Sequence, residues 1–98
     1  MKVAIYPGSF DPITFGHMDI IERACGIFDK VILAVAESET KKPLFTLDER
    51  LGLTKSIYSD HPKIETVSFS RKLTVELARE HNACAIIRGL RAVADFEY

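Results

Sequence analysis

Apolar positions along this chain recur in alternating blocks of strand-like and helix-like spacing. Lys2 to Tyr6 is a short apolar run of the buried-strand kind. Pro7-Gly8-Ser9-Phe10-Asp11-Pro12 follows as a loop, because one glycine and two prolines oppose regular structure. From Gly16 or His17 the apolar residues adopt helical spacing. Ile20, Ile21, Ala24, Cys25 and Phe28 share one face, and Gly26 weakens the last turn and helps to end the helix. Val31 to Ala36 predicts a second strand. A β-α-β unit of about 35 residues with a glycine-containing first turn has the usual length of a right-handed crossover, so parallel strands are expected.

After a polar loop from Glu37 to Pro43, Thr46-Leu47-Asp48-Glu49 has the form of a capping box and starts a helix from Leu47 to about Tyr58. Ile64 to Phe69 alternates as a strand. Leu73 to about Asn82 carries Leu73, Leu77, Ala78 and His81 at helical offsets, and Ala83 to Ile87 reads as a wholly buried fourth strand. Seven elements in strict alternation predict an α/β fold: a doubly wound parallel sheet with helices on both faces and ligands at the carboxyl ends of the strands. The final Asp95-Phe96-Glu97-Tyr98 holds two aromatic residues and no breaking residue, so further sequence is expected to complete the fold.

Composition narrows the functional classes. With 98 residues, 47% of them hydrophobic, residues 1–98 are expected to form a single domain. Thirteen Lys plus Arg balance 14 Asp plus Glu, so no overall field draws nucleic acid or a membrane, and any anion site must be local. Cys25 and Cys84 lack zinc-site spacing and sit among apolar or small neighbours, which reads as two reduced packing residues. The amino terminus enters a strand pattern without a signal peptide's apolar stretch, and the apolar runs are far shorter than a membrane span. A cytoplasmic location is the expectation.

Three segments fall where the topology opens a crevice. Ser9 and the amides around Gly8 and Phe10 can donate to phosphate oxygens. Thr14-Phe15-Gly16-His17 sets an imidazole at a helix N-terminus, where the dipole favours negative charge, and Gly16 allows close approach of a ligand. On spacing alone the same residues also fit a relieved turn with a capping His17. Lys41 and Lys42 precede Pro43, which keeps the residue before it extended; they fit a phosphate contact or a solvated loop. Arg88-Gly89-Leu90-Arg91 emerges at the carboxyl end of the fourth strand, where two guanidiniums match a polyphosphate or pair with Asp95 or Glu97. His61, before Pro62, and His81, at a helix end, have settings that fit solvent or a helix dipole.

Tyr6-Pro7-Gly8-Ser9-Phe10-Asp11-Pro12-Ile13-Thr14-Phe15-Gly16-His17 and Arg88-Gly89-Leu90-Arg91-Ala92-Val93-Ala94-Asp95-Phe96-Glu97-Tyr98 resemble the two signature stretches of the bacterial phosphopantetheine adenylyltransferases. Lys41-Lys42-Pro43 is similar to that family's loop after its second strand. The T-x-G-H form at Thr14 to His17 belongs to the wider nucleotidyltransferase superfamily; the second stretch is more specific. The resemblance covers essentially the whole chain and implies a Rossmann-like fold, an enzyme of coenzyme A biosynthesis, and transfer of the adenylyl group of ATP to 4'-phosphopantetheine with Mg2+. It implies His17 as transition-state stabiliser; Ser9, Lys41, Thr74 and Arg88 as contacts to phosphopantetheine; and Ser9, Phe10, His17, Gly89, Leu90 and Arg91 as contacts to ATP. It assigns no protein ligand to the metal, which rides on the ATP phosphates.

The family continues beyond Tyr98 with an acidic ATP contact and a serine-rich helix start that clamps the triphosphate. Residues 1–98 are therefore expected to be a nucleotidyltransferase core lacking its C-terminal part. In its full-length form the family is a homo-oligomer, a hexamer. Three rivals remain: a nucleotidyltransferase for another acceptor, a catalytically silent nucleotide-binding fragment of the same fold, and an FMN-binding flavodoxin-like domain. The last gives no reason for Thr14 to His17 or for the Arg88 and Arg91 pair.

Overall fold

The apolar runs become a four-stranded parallel sheet in the computed structural model, which describes residues 1–37, 44–69 and 74–88. The strands are β1 (Val3–Gly8), β2 (Lys30–Ala36), β3 (Ile64–Phe69) and β4 (Ala85–Ile86); the helices are α1 (Phe15–Cys25), α2 (Leu47–Tyr58) and α3 (Thr74–Glu80). Val31 to Val35 is buried without a break, as a central strand covered on both faces must be. β3 is less covered, with Glu65 and Ser68 exposed and its other four residues half-buried.

Strand order is β3-β2-β1-β4, all parallel, with Ile5 opposite Ile32 on one side and Ile86 on the other. The chain steps outward from β1 through β2 to β3, then returns to the far side of β1. Two apolar clusters sandwich the sheet. On one face Tyr6, Val31, Leu33 and Val35 pack with Ile21, Ala24 and Cys25 of α1 and Tyr58 of α2. On the other, Val3, Ile5, Ile32 and Ala34 meet Leu77 and Ala78 of α3. Helices on both faces and a reversal of direction at β1 make the sheet doubly wound and Rossmann-like, with its crevice at the carboxyl ends of β1 and β4.

Three expectations change in detail, and one falls partly outside the described residues. β1 runs on through Pro7 and Gly8, which align with Ala34 and Val35 of β2. Proline's fixed φ suits extended chain, and near a strand end its missing donor does little harm. β4 is not wholly buried: Ile86 is 36% exposed, because among the described residues this strand pairs only with β1. Backbone bonds from Cys84 N to Val3 O (2.7 Å) and from Ile87 N to Ile5 O (2.8 Å) continue its ladder at both ends. Cys25 is a buried free thiol as expected, whereas Cys84 is exposed and not a packing residue. Of the third helix, Thr74 onward is described and Leu73 lies outside the described residues.

Candidate functional site

The loop after β1 is built around Phe10. Its φ of 46° is left-handed, a conformation that costs a residue with a Cβ roughly 1–2 kcal/mol, yet the ring is 1% exposed and that burial offsets the strain. The ring meets Tyr6 edge-on at 5.3 Å and His17 at 5.0 Å between centroids. A Cβ on Gly8 would stand 3.3 Å from the Phe10 ring, so glycine is what allows the ring to lie against the strand end. Ser9, between them, is exposed.

Thr14 is the N-cap of α1, and His17 serves as the third helical residue of a capping box, a place usually held by Glu or Gln. The Thr14 amide donates to His17 Nδ1 at 2.9 Å, and the His17 amide donates to Thr14 Oγ1 at 3.3 Å. With Nδ1 occupied as an acceptor, a neutral ring carries its hydrogen on Nε2. Burial against Phe10 and Tyr6 pushes the His17 pKa below its ordinary 6.5, and protonating Nδ1 would set two donors against each other. His17 is thus a neutral hydrogen-bond donor held at a helix N-terminus.

Two residues passed over in the sequence reading tie this loop to the rest of the sheet edge. Arg50 of α2 is 2% exposed. Its Nη1 donates to Ser9 O and to Ala36 O, both at 2.7 Å, and its Nε donates to Phe45 O at 3.1 Å. Half-buried Asp11 accepts the amides of Leu44 (2.9 Å) and Phe45 (2.8 Å) with its two carboxylate oxygens. A signal for Arg50 existed: it lies on the stripe of Leu47, Leu51, Thr54 and Tyr58 that faces the core, where an arginine must be satisfied by specific acceptors. Asp11 gave no signal beyond turn chemistry.

A cleft of about 400 Å³ opens at the carboxyl ends of all four strands, lined by Pro7, Gly8, Ala36, Phe69, Thr74, Ile86, Ile87 and Arg88. It brings Thr74 and Arg88 onto one surface; Ser9, Phe10 and His17 form a second group beside it, joined through the end of β1. Lys41, Gly89, Leu90 and Arg91 lie outside the described residues. Among the described residues no cluster of three or more His, Cys, Asp or Glu side chains could hold a metal ion, and no helix is long and apolar enough to cross a membrane. His61 serves its own loop, accepting the Lys63 amide at Nδ1 (3.2 Å).

Comparison with known proteins gives the site a context. A family profile described as cytidylyltransferase-like matches residues 5–98. The phosphopantetheine adenylyltransferase of Desulforudis audaxviator (strain MP104C) is 55% identical over 98 residues, covering 100% of this chain and 60% of that protein. The enzyme of the same name from Moorella thermoacetica is 56% identical over 98 residues, covering 100% of this chain and 61% of its own length. The chain therefore spans about 60% of the length of these curated relatives. Among solved structures, a bifunctional NMN adenylyltransferase/ADP ribose pyrophosphatase from Francisella tularensis superposes with a TM-score of 0.72 at 17% identity, over 97% of this chain and 33% of that one. That likeness shows the shared fold.

Proposed function

Because the chain belongs to the cytidylyltransferase-like family, we propose that it carries the core of an adenylyltransferase joining the adenylyl group of ATP to 4'-phosphopantetheine, with dephospho-coenzyme A and pyrophosphate as products. The observation that carries this reading is the neutral His17, its Nδ1 capped by the Thr14 amide at a helix N-terminus, beside a cleft that holds Arg88 and Thr74. The high identity to phosphopantetheine adenylyltransferases supports this acceptor over another nucleotidyl acceptor. The same reading gives the protein a cytoplasmic role in coenzyme A biosynthesis and a homo-oligomeric, hexameric state.

A phosphate monoester is already an anionic nucleophile, so no side chain need attack. The protein has to align two anionic reactants for in-line displacement at the α-phosphorus and neutralise the charge that develops there. Ser9, the Phe10 amide and the α1 N-terminus receive ATP oxygens, and the Nε2–H of His17 donates to the α-phosphate oxygens as the five-coordinate state forms. Arg88, Thr74 and Lys41 hold phosphopantetheine, while Gly89, Leu90 and Arg91 contact ATP. Mg2+ would be brought in on the ATP phosphates: among the described residues no carboxylate cluster is suited to hold it, and Asp11, the carboxylate of the loop, already accepts two amides. Such an ion would screen the triphosphate charge.

Pyrophosphate release with magnesium-ATP, measured with and without 4'-phosphopantetheine and beside a His17→Ala control, tests the proposal. Release that requires phosphopantetheine and falls at least ~100-fold in the control is the expected result. Phosphopantetheine binding without release would favour a catalytically silent nucleotide-binding fragment, and binding of neither ligand would remove the reading.

A further inference from the structure

The first-loop group of Ser9, Phe10 and His17 and the cleft holding Thr74 and Arg88 share no side chain, yet adenylyl transfer requires a fixed distance between what each binds. Arg50 spans them. One nitrogen, Nη1, donates at 2.7 Å both to the carbonyl of Ser9, in the first loop, and to that of Ala36, in the cleft wall. Its Nε reaches the Phe45 carbonyl, while Asp11 takes the Phe45 and Leu44 amides, so the Phe45 residue is gripped at both its N–H and its C=O. The clamp thus closes from the first loop onto the start of α2 and back through Arg50 to the first loop and β2. The three acceptors of Arg50 are all backbone carbonyls, and the residue is 2% exposed and does not line the cleft.

We propose that Asp11 and Arg50 are positioning residues that set the spacing between the nucleotide loop and the acceptor cleft without touching either substrate. The inference rests on the adenylyl-transfer reading for the identity of the two ligands, though not for the existence of the clamp. Loss of a clamp of this kind misaligns two ligands that still bind. Turnover should then suffer far more than the affinity for either substrate.

The test compares the wild-type chain with Asp11→Asn, which keeps shape but turns an acceptor into a donor, and Arg50→Lys, which keeps charge but cannot reach three carbonyls from one planar fork. Amide exchange at Leu44 and Phe45 is read without ligand; dissociation constants for ATP and for 4'-phosphopantetheine are read separately, and kcat with both. The proposal expects exchange at these two amides to quicken on the order of tenfold in Asp11→Asn while Leu33 stays protected. It expects kcat to fall on the order of tenfold or more in both variants, with each dissociation constant within about twofold of wild type. Unchanged exchange at Leu44 and Phe45, or affinities that fall in step with kcat, overturns it. Wild-type chain without turnover or binding overturns the functional reading alone, and the exchange result still decides the clamp. Should Arg50→Lys fail to fold, Asp11→Asn carries both readouts.

Discussion

Two demands meet on one ring at His17: it caps its own helix through Nδ1, and the proposed function draws on its Nε2–H. Its lowered pKa means that the folded chain binds fewer protons than the unfolded chain between the depressed value and 6.5. The associated stability is intact above 6.5 and is lost as pH falls through that window. Chemical denaturation of wild type and His17→Gln at pH 7.5 and pH 5 should show the wild type losing ground to the variant on acidification; a pH-independent gap would contradict the depressed pKa. Gly8 shows another residue-scale constraint. Alanine in a strand ordinarily stabilises relative to glycine, but here its methyl would press on the Phe10 ring at 3.3 Å. Gly8→Ala is expected to destabilise by about 1 kcal/mol in denaturant titration and to shift the His17 ring resonances, because the Phe10 ring moves against them.

Element by element, what the sequence disclosed followed from local chemistry. α2 was legible from end to end because Thr46 and Glu49 form a complete capping box: Thr46 Oγ1 accepts the Glu49 amide at 3.1 Å, and the Thr46 amide donates to Glu49 at 3.0 Å. Thr46→Ala should cost about 1 kcal/mol of stability by urea titration and Thr46→Ser much less; equal losses would mean that the hydroxyl is not the cap. The start of α1 was legible to within two residues, and a capping His17 was one of the two readings its spacing allowed; that the ring does so as the third helical residue of a capping box was not, since histidine is not the residue that motif leads one to expect. β4 was misjudged because an unbroken apolar run looks the same whether one flank or two are covered, and pairing partners are a tertiary property. Asp11, and the bonds of Arg50 though not its place on the core-facing stripe, escaped for a related reason. Their partners are backbone groups 33 to 41 residues away for the Leu44, Phe45 and Ser9 bonds, and backbone groups leave no mark in a side-chain pattern.

At the scale of the molecule, the return of the chain to the far side of β1 places the β1 end between the first loop and the cleft, so one strand end borders both halves of the proposed site. The winding was foreseeable from the alternation of elements; the two apolar faces, with α1 and α2 on one and α3 on the other, follow from it. The same layering separates the two thiols. Cys84 lies at the surface, whereas Cys25 is sealed between α1 and the sheet, where burial and the nearby Glu22 carboxylate raise its pKa against the pull of Lys63. A maleimide should therefore add to Cys84 at once and to Cys25 only when α1 lifts away, and mass spectrometry of native chain should show a single fast adduct followed by a slow second one. The slow step is an intrinsic clock for the opening of that layer. With Cys84 blocked beforehand, it times how often the protein breathes, without any probe being engineered in.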